Sequence, residues 1–207
     1  MRLHRRMKGL SLVELMVTIF VMAILMAIAV PRFRDVMARG DVVKAMNALS
    51  ADVQFARGQA ASQHRFVSIC RSTTGTSCAE ATASPFDYDA GWIIYSYDVT
   101  SSGANQAYSS TSGNMDILRY TAKMNGVSLR GTDGKLFTFD QRGQFVTSTG
   151  RTQLAFVACA RKASADGTAA TVGTNVSGKQ GSQLLLRASG SITVTALPLT
   201  NTTCLPS

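Results

Sequence analysis

Residues 8–33 read KGLSLVELMVTIFVMAILMAIAVPRF, and the fold is decided there. Residues 10–30 carry one charge, Glu14, among apolar side chains. A helix of that length crosses the roughly 30 Å hydrocarbon core of a bilayer. Arg2, Arg5, Arg6 and Lys8 precede the run with no acidic residue among them. Such a basic flank stays on the cytoplasmic side, which places everything after Pro31 across the membrane. A cleaved secretory signal competes with this reading, and Ala27 and Ala29 offer a weak small-residue cleavage site. The apolar region of such signals, however, spans only about 7–15 residues.

Glu14 separates a plain anchor from something more specific. A carboxylate at bilayer depth costs roughly 2.5–3.5 kcal/mol on insertion scales, so it is rarely kept without a partner. The run holds no Lys or Arg to pair with it. A cut after Gly9 would turn the α-amino group of Leu10 into a cation four residues away, able to meet Glu14 of a neighbouring subunit. On that reading Glu14 is an assembly device.

The stretch resembles the class III signal of type IV pilins and type II secretion pseudopilins. The resemblance implies cleavage between Gly9 and Leu10 by a prepilin peptidase, N-methylation of Leu10, and Glu14 as the fifth mature residue. It also implies that Pro31 is the helix-kinking proline of the mature chain. Leu10 stands where that family most often has Phe.

Beyond Pro31, Met46, Leu49, Val53, Ala56 and Ala60 step by three and four. They form the apolar stripe of an amphipathic helix running to about Ser62. Pro31 should bend the continuous helix, and Gly40 adds a weak point. From residue 64 the period changes to two. β-Branched and aromatic runs appear at 65–70, 91–97, 136–140, 144–147, 154–159, 183–187 and 191–196. Thr132-Asp133-Gly134 and Gln141-Arg142-Gly143 read as hairpin connections. Residues 100–114 and 163–181, rich in Ser, Thr, Gly, Ala and Asn, read as long exposed loops. The expected class is α+β, a long N-terminal helix, transmembrane in its first half, packed on an antiparallel sheet. The expected organisation is a leader at 1–9, an assembly helix at 10–30 and a periplasmic head at 31–207.

Four cysteines all follow the apolar run, and none forms a CxxC pair. An exported even set is expected to pair. Three connectivities are open, of which local closure favours Cys70–Cys78 with Cys159–Cys204. The two histidines, His4 and His64, leave no triad and no histidine-based metal site. Gly178-Lys179 lacks the spacing of a phosphate-cradling loop. Asp87 and Asp89 are too few for a calcium site and read as a surface loop. No cofactor, metal or catalytic residue is expected.

Within the head, residues 48–78 (ALSADVQFARGQAASQHRFVSICRSTTGTSC), 91–95 (GWIIY) and 137–145 (FTFDQRGQF) resemble the GspH/FimT group of minor pilins and pseudopilins. The resemblance implies a structural subunit that primes or caps a type IV pilus. Its partners would be other minor pilins, the major pilin, prepilin peptidase and the inner membrane. A pseudopilin role in type II secretion and DNA uptake are the alternatives. Some members of the group bind DNA through a GRxR motif in the last strand pair. At that place this chain keeps Gly190 but has Ser191 and Thr193 instead of both arginines. The formal charge is +9, of which the four basic residues before Gly9 supply four. A displaced basic patch of Arg161, Lys162, Lys179 and Arg187 is the remaining route to phosphate binding.

Overall fold

The computed structural model describes residues 11–79, 86–98, 103–161 and 172–206. Helix α1 spans Leu12–Gln63, and the chain divides into two compact units, Met1–Met37 and Ala38–Ser207. The leader residues, with Gly9 and Leu10, lie outside the described residues.

In the first unit, Ser11 caps α1. Its hydroxyl accepts the Glu14 N–H at 3.2 Å and its carbonyl the Leu15 N–H at 3.1 Å. Ser-x-x-Glu at a helix start is the pattern of a capping box. The apolar side chains that follow are exposed: Leu12, Ile19, Phe20, Leu25 and Ile28 each keep more than 60% of their surface. Pro31 lies inside the helix, where it has no N–H to offer the carbonyl four residues back.

In the second unit, α1 buries Val42, Ala45, Met46, Leu49, Asp52, Val53, Ala56 and Ala60. This is the stripe read from the sequence, extended one turn towards the N-terminus. Eight strands follow among the described residues: β1 Phe66–Arg71, β2 Trp92–Tyr97, β3 Met115–Thr121, β4 Val127–Gly131, β5 Phe137–Phe139, β6 Gln153–Ala160, β7 Ser182–Arg187 and β8 Ile192–Ala196. They form two four-stranded sheets, β3-β2-β1-β5 and β4-β6-β7-β8, antiparallel throughout. The α+β class and the order of helix before strands hold, with two sheets where one was expected. The core joins the α1 stripe to Val67, Ile69, Trp92 and Ile94 of the first sheet and to Leu129, Phe156, Leu184 and Leu186 of the second.

Each sheet also carries a small apolar cluster outside that core. Cys70, Ile93, Tyr95, Tyr97 and Leu136 pack with Phe66, Cys78, Tyr108 and Met115. Val157, Cys159, Leu197 and Cys204 pack with Val172. One disulfide, Cys70–Cys78, falls in the first cluster, and the other, Cys159–Cys204, in the second. The disulfides thus hold a loop and the C-terminal tail over sheet surfaces that would otherwise expose apolar side chains.

Several expectations are corrected. Thr132-Asp133-Gly134 is no hairpin, because β4 and β5 belong to different sheets. Thr132 instead stays on β6, exchanging bonds with Ala155 at 2.9–3.0 Å. Residues 144–147 make only an isolated bridge, Phe139 with Phe145, after a turn in which the Asp140 carboxylate accepts the Arg142 and Gln144 N–H groups. Residues 103–114 lie across the first sheet rather than standing free. The Tyr95 hydroxyl donates to the Gln106 carbonyl at 2.6 Å, and Tyr108 meets the Tyr95 ring edge-on at 5.4 Å. Within 163–181 the described part is pinned by buried Asn175, which donates to the Pro198 and Asn201 carbonyls and accepts the Gly181 N–H.

Candidate functional site: assembly segment, buried ion pairs and basic surface

The first candidate site is the start of α1. The helix is long and apolar enough to cross a membrane, and the apolar window is not buried within the chain. Glu14 is exposed in the first turn, its N–H bonded to Ser11. The Thr18 hydroxyl donates to the Leu15 carbonyl at 2.8 Å, so it adds no unsatisfied donor to the run.

Two ionic networks in the head centre on buried carboxylates, Asp52 and the pair Asp87 and Asp89. Asp52, on the buried face of α1, accepts the Trp92 indole N–H at 2.8 Å, the Thr121 hydroxyl at 2.6 Å and Arg119 at 2.6 Å. Arg119 also lies over the Phe55 ring at 4.0 Å. One carboxylate therefore ties the helix to β2 and β3. Its signal was in the sequence, since Asp52 falls three residues after Leu49 and so on the apolar face.

Asp87 and Asp89, expected in a surface loop, are both buried. Asp89 pairs with Arg130 at 2.6 Å, with Arg161, and with the Leu129 N–H at 3.2 Å. Asp87 pairs with Arg71 at 2.8 Å. Arg130 is completely enclosed. Burial pushes the Asp89 carboxyl up from its ordinary value, opposed by Arg130, the Leu129 N–H and Arg161. The same burial pushes the Arg130 guanidinium down, opposed by Asp89 and Asp87. Desolvation and pairing thus oppose each other here, which marks a structural cluster in which removing the carboxylate alone strands a buried guanidinium.

That cluster changes the basic patch. Arg161 is engaged by Asp89 and by the Val127 carbonyl, so its guanidinium is committed inside the head. Lys162 lies outside the described residues. Lys179 precedes β7 and is half-buried, whereas Arg187 ends that strand and is exposed. Arg161 and Arg187 stand at opposite ends of β6, which pairs Gln153 with Arg187 and runs on to Ala160. Of the described members of the expected patch, Arg161 and Arg187 are not brought together.

A different grouping forms around Arg187. The Asp140–Gln144 turn and the Arg187–Ser191 turn meet where the Phe145 N–H donates to the Ala188 carbonyl at 3.1 Å. Arg57 of α1 reaches in and donates to the Gly190 carbonyl at 3.4 Å. Arg57, Arg142 and Arg187 are all exposed at this junction, and none forms an ion pair among the described residues. Gly190 has a packing reason of its own. Its φ is +74°, and a Cβ there would lie 2.3 Å from the Gly143 carbonyl oxygen. Gly190→Ala is expected to cost roughly 1–3 kcal/mol, read as a lower urea midpoint.

No metal-holding group of His, Cys, Asp and Glu occurs among the described residues.

Comparison with known proteins gives no match among curated proteins. Among solved structures the chain is similar to the type IV minor pilin FimU of Pseudomonas aeruginosa in two crystal forms. One has 18% identity and a TM-score of 0.48 over 80% of this chain and 96% of that one. The other has 21% identity and a TM-score of 0.44 over 78% and 98%. The minor pseudopilin EpsH from the type 2 secretion system of Vibrio cholerae has 8% identity and a TM-score of 0.38 over 75% and 97%. The model of the prokaryotic N-terminal methylation motif matches residues 4–30. The model described as type II transport protein GspH matches residues 45–178, well over half of the chain. The chain belongs to the GspH family and is a pilin-like subunit of the minor pilin or pseudopilin kind.

Proposed function

We propose that this chain is a minor pilin that primes or caps a type IV pilus, acting by packing rather than catalysis. One observation carries the reading: an uncovered apolar run, residues 12–30, whose single charge, Glu14, sits in the first turn of α1 and inside the matched methylation motif. After prepilin peptidase cuts between Gly9 and Leu10, residues 10–30 would leave the membrane for a helical bundle. Glu14 would there neutralise the amino terminus of a neighbouring subunit, offsetting the cost of burying either charge alone. The head, residues 31–207, would stand in the periplasm until assembly and then contact other pilin subunits.

The test is Glu14→Gln, which keeps the shape and removes the charge. The variant is expected to be cleaved and to keep a folded head, while its amount in sheared fibres falls at least tenfold. Equal recovery in fibres would sink the assembly role of Glu14. Deletion separates the machines: loss of twitching with export intact supports the pilus, and the reverse makes the chain a secretion pseudopilin.

DNA uptake is a second reading, favoured by Arg57, Arg142 and Arg187 around the last strand pair. Three phosphate contacts predict a log–log salt slope near −2.7, by the rule of about −0.9 per contact. In a gel shift with duplex DNA, the triple alanine variant should lose that binding. No shift of the unaltered chain at low salt would exclude the reading.

A further inference from the structure

Four sheet edges close the two sheets, and three of them are protected. The β5 edge is bridged by Phe145, with the Val146 N–H donating to the Thr138 carbonyl at 2.9 Å. The β4 edge is bridged by Asp87 at Arg130, with the Gly131 N–H on the Phe86 carbonyl at 3.1 Å. Strand β3 carries Asp116 and Arg119, charges of the sort that discourage edge pairing. Among the described residues, strand β8 has neither device. Four of its five residues are exposed, Val194 at 46%, and residues 188–207 contain no charged side chain.

The ladder says which backbone groups are open. The Arg187 N–H donates to the Ser191 carbonyl and the Leu197 N–H to the Gly181 carbonyl. Antiparallel bonding alternates along the strand, so the odd residues from 191 to 197 face β7. The N–H and C=O groups of Ile192, Val194 and Ala196 therefore point away from the sheet. The side chains run apolar, Thr, Val, Thr, apolar, a pattern that reads alike in both directions.

We propose that β8 is a homotypic pairing edge, which takes the β8 strand of a second copy of this chain in antiparallel register about Val194. A two-fold axis there sets Val194 against Val194, Ile192 against Ala196 and Thr193 against Thr195, joining the two four-stranded sheets into one of eight. The self-reading pattern selects a second copy over an unrelated strand, because the three side-chain matches arise from one sequence with no charges to oppose. The contact is small, so the association is weak and reversible.

The test is a cysteine at the axis. All four native cysteines are paired, so Val194→Cys adds the one free thiol. Cα atoms of a hydrogen-bonded antiparallel pair lie about 5.5 Å apart, within disulfide reach. The full processed chain in detergent, oxidised with a glutathione buffer, is expected to give a covalent dimer roughly tenfold faster than a Ser110→Cys control, through local thiol concentration. Equal rates would overturn the proposal, since micelle sharing alone would explain them. A separate readout uses Val194→Lys, which sets two ammonium groups face to face at an already exposed position. Sedimentation should find concentration-dependent dimer in the unaltered chain and monomer in the lysine variant, and a monomeric unaltered chain at every concentration also overturns it.

Discussion

Asp89→Ala is expected to cost the head about 3–5 kcal/mol, the range for breaking a buried ion pair from one side. The carboxylate serves Arg130, which has no exposure, Arg161, which is 13% exposed, and the Leu129 N–H of β4. Removing it leaves one enclosed guanidinium with its main counter-charge gone and another with only the Val127 carbonyl to hold it inward. The reverse change is smaller. Arg130→Met leaves Asp89 with Arg161 and the Leu129 N–H, and the thioether fills much of the vacated volume. The double variant Asp89→Asn with Arg130→Met should therefore lie closer to the unaltered head than Asp89→Ala does, because the fully enclosed guanidinium is gone and only the partly exposed Arg161 is left without its counter-charge. Denaturant midpoints of the three variants check the order. A loss under about 1 kcal/mol for Asp89→Ala would show that the pair is a solvated surface contact instead.

The same network marks where sequence reading stops. The partners of Asp89 lie 41 and 72 residues away, at the end of β4 and just past β6. No local pattern joins them, and two aspartates between a Pro and a Gly look like any solvated turn. β4 was missed for a related reason. An arginine in a five-residue strand reads as exposure, but all five of its residues are buried, and the charge that disguised it is neutralised from a distant segment. β3 was missed because Asp116 and Arg119 break its alternation, although Arg119 spends its charge on Asp52.

By contrast, the α1 stripe and the cores of β1, β2, β6 and β7 were legible, the helix through its period and the strands as short runs rich in β-branched, aromatic and other apolar residues. The apolar start of α1 was legible too, because a run of twenty-one residues with a single charge is conspicuous in any fold. The basic patch was not. Arg161 belongs to the ion-pair core, and the arginines that stand together come from α1 and from two turns brought side by side only by the sheet.

Replacing both Cys159 and Cys204 by Ala is expected to cost about 4 kcal/mol, from the entropy of closing a loop across 45 residues. The pair Cys70 and Cys78, 8 residues apart, should cost about 2.5 kcal/mol on the same reasoning. Loop entropy alone sets that order, and the burial of what each bond holds in place strengthens it. Cys159, Leu197 and Cys204 are each at most 1% exposed and cover Val157 on β6. With the bond absent, the tail depends on Asn175 gripping the Pro198 and Asn201 carbonyls and on the burial of Leu197. Those contacts fix few residues, so the tail should open below the global transition, and limited proteolysis should trim the double variant near Leu197 while the rest of the head stays intact. The small loop at Cys70 has Arg71 to hold it, through bonds to the Ala79 and Asp87 carbonyls, and should resist the same protease. If the Cys70 and Cys78 variant proves the more damaging, loop entropy is not what these bonds supply, and the aromatic cluster beneath that loop carries more of the stability than the C-terminal cover does.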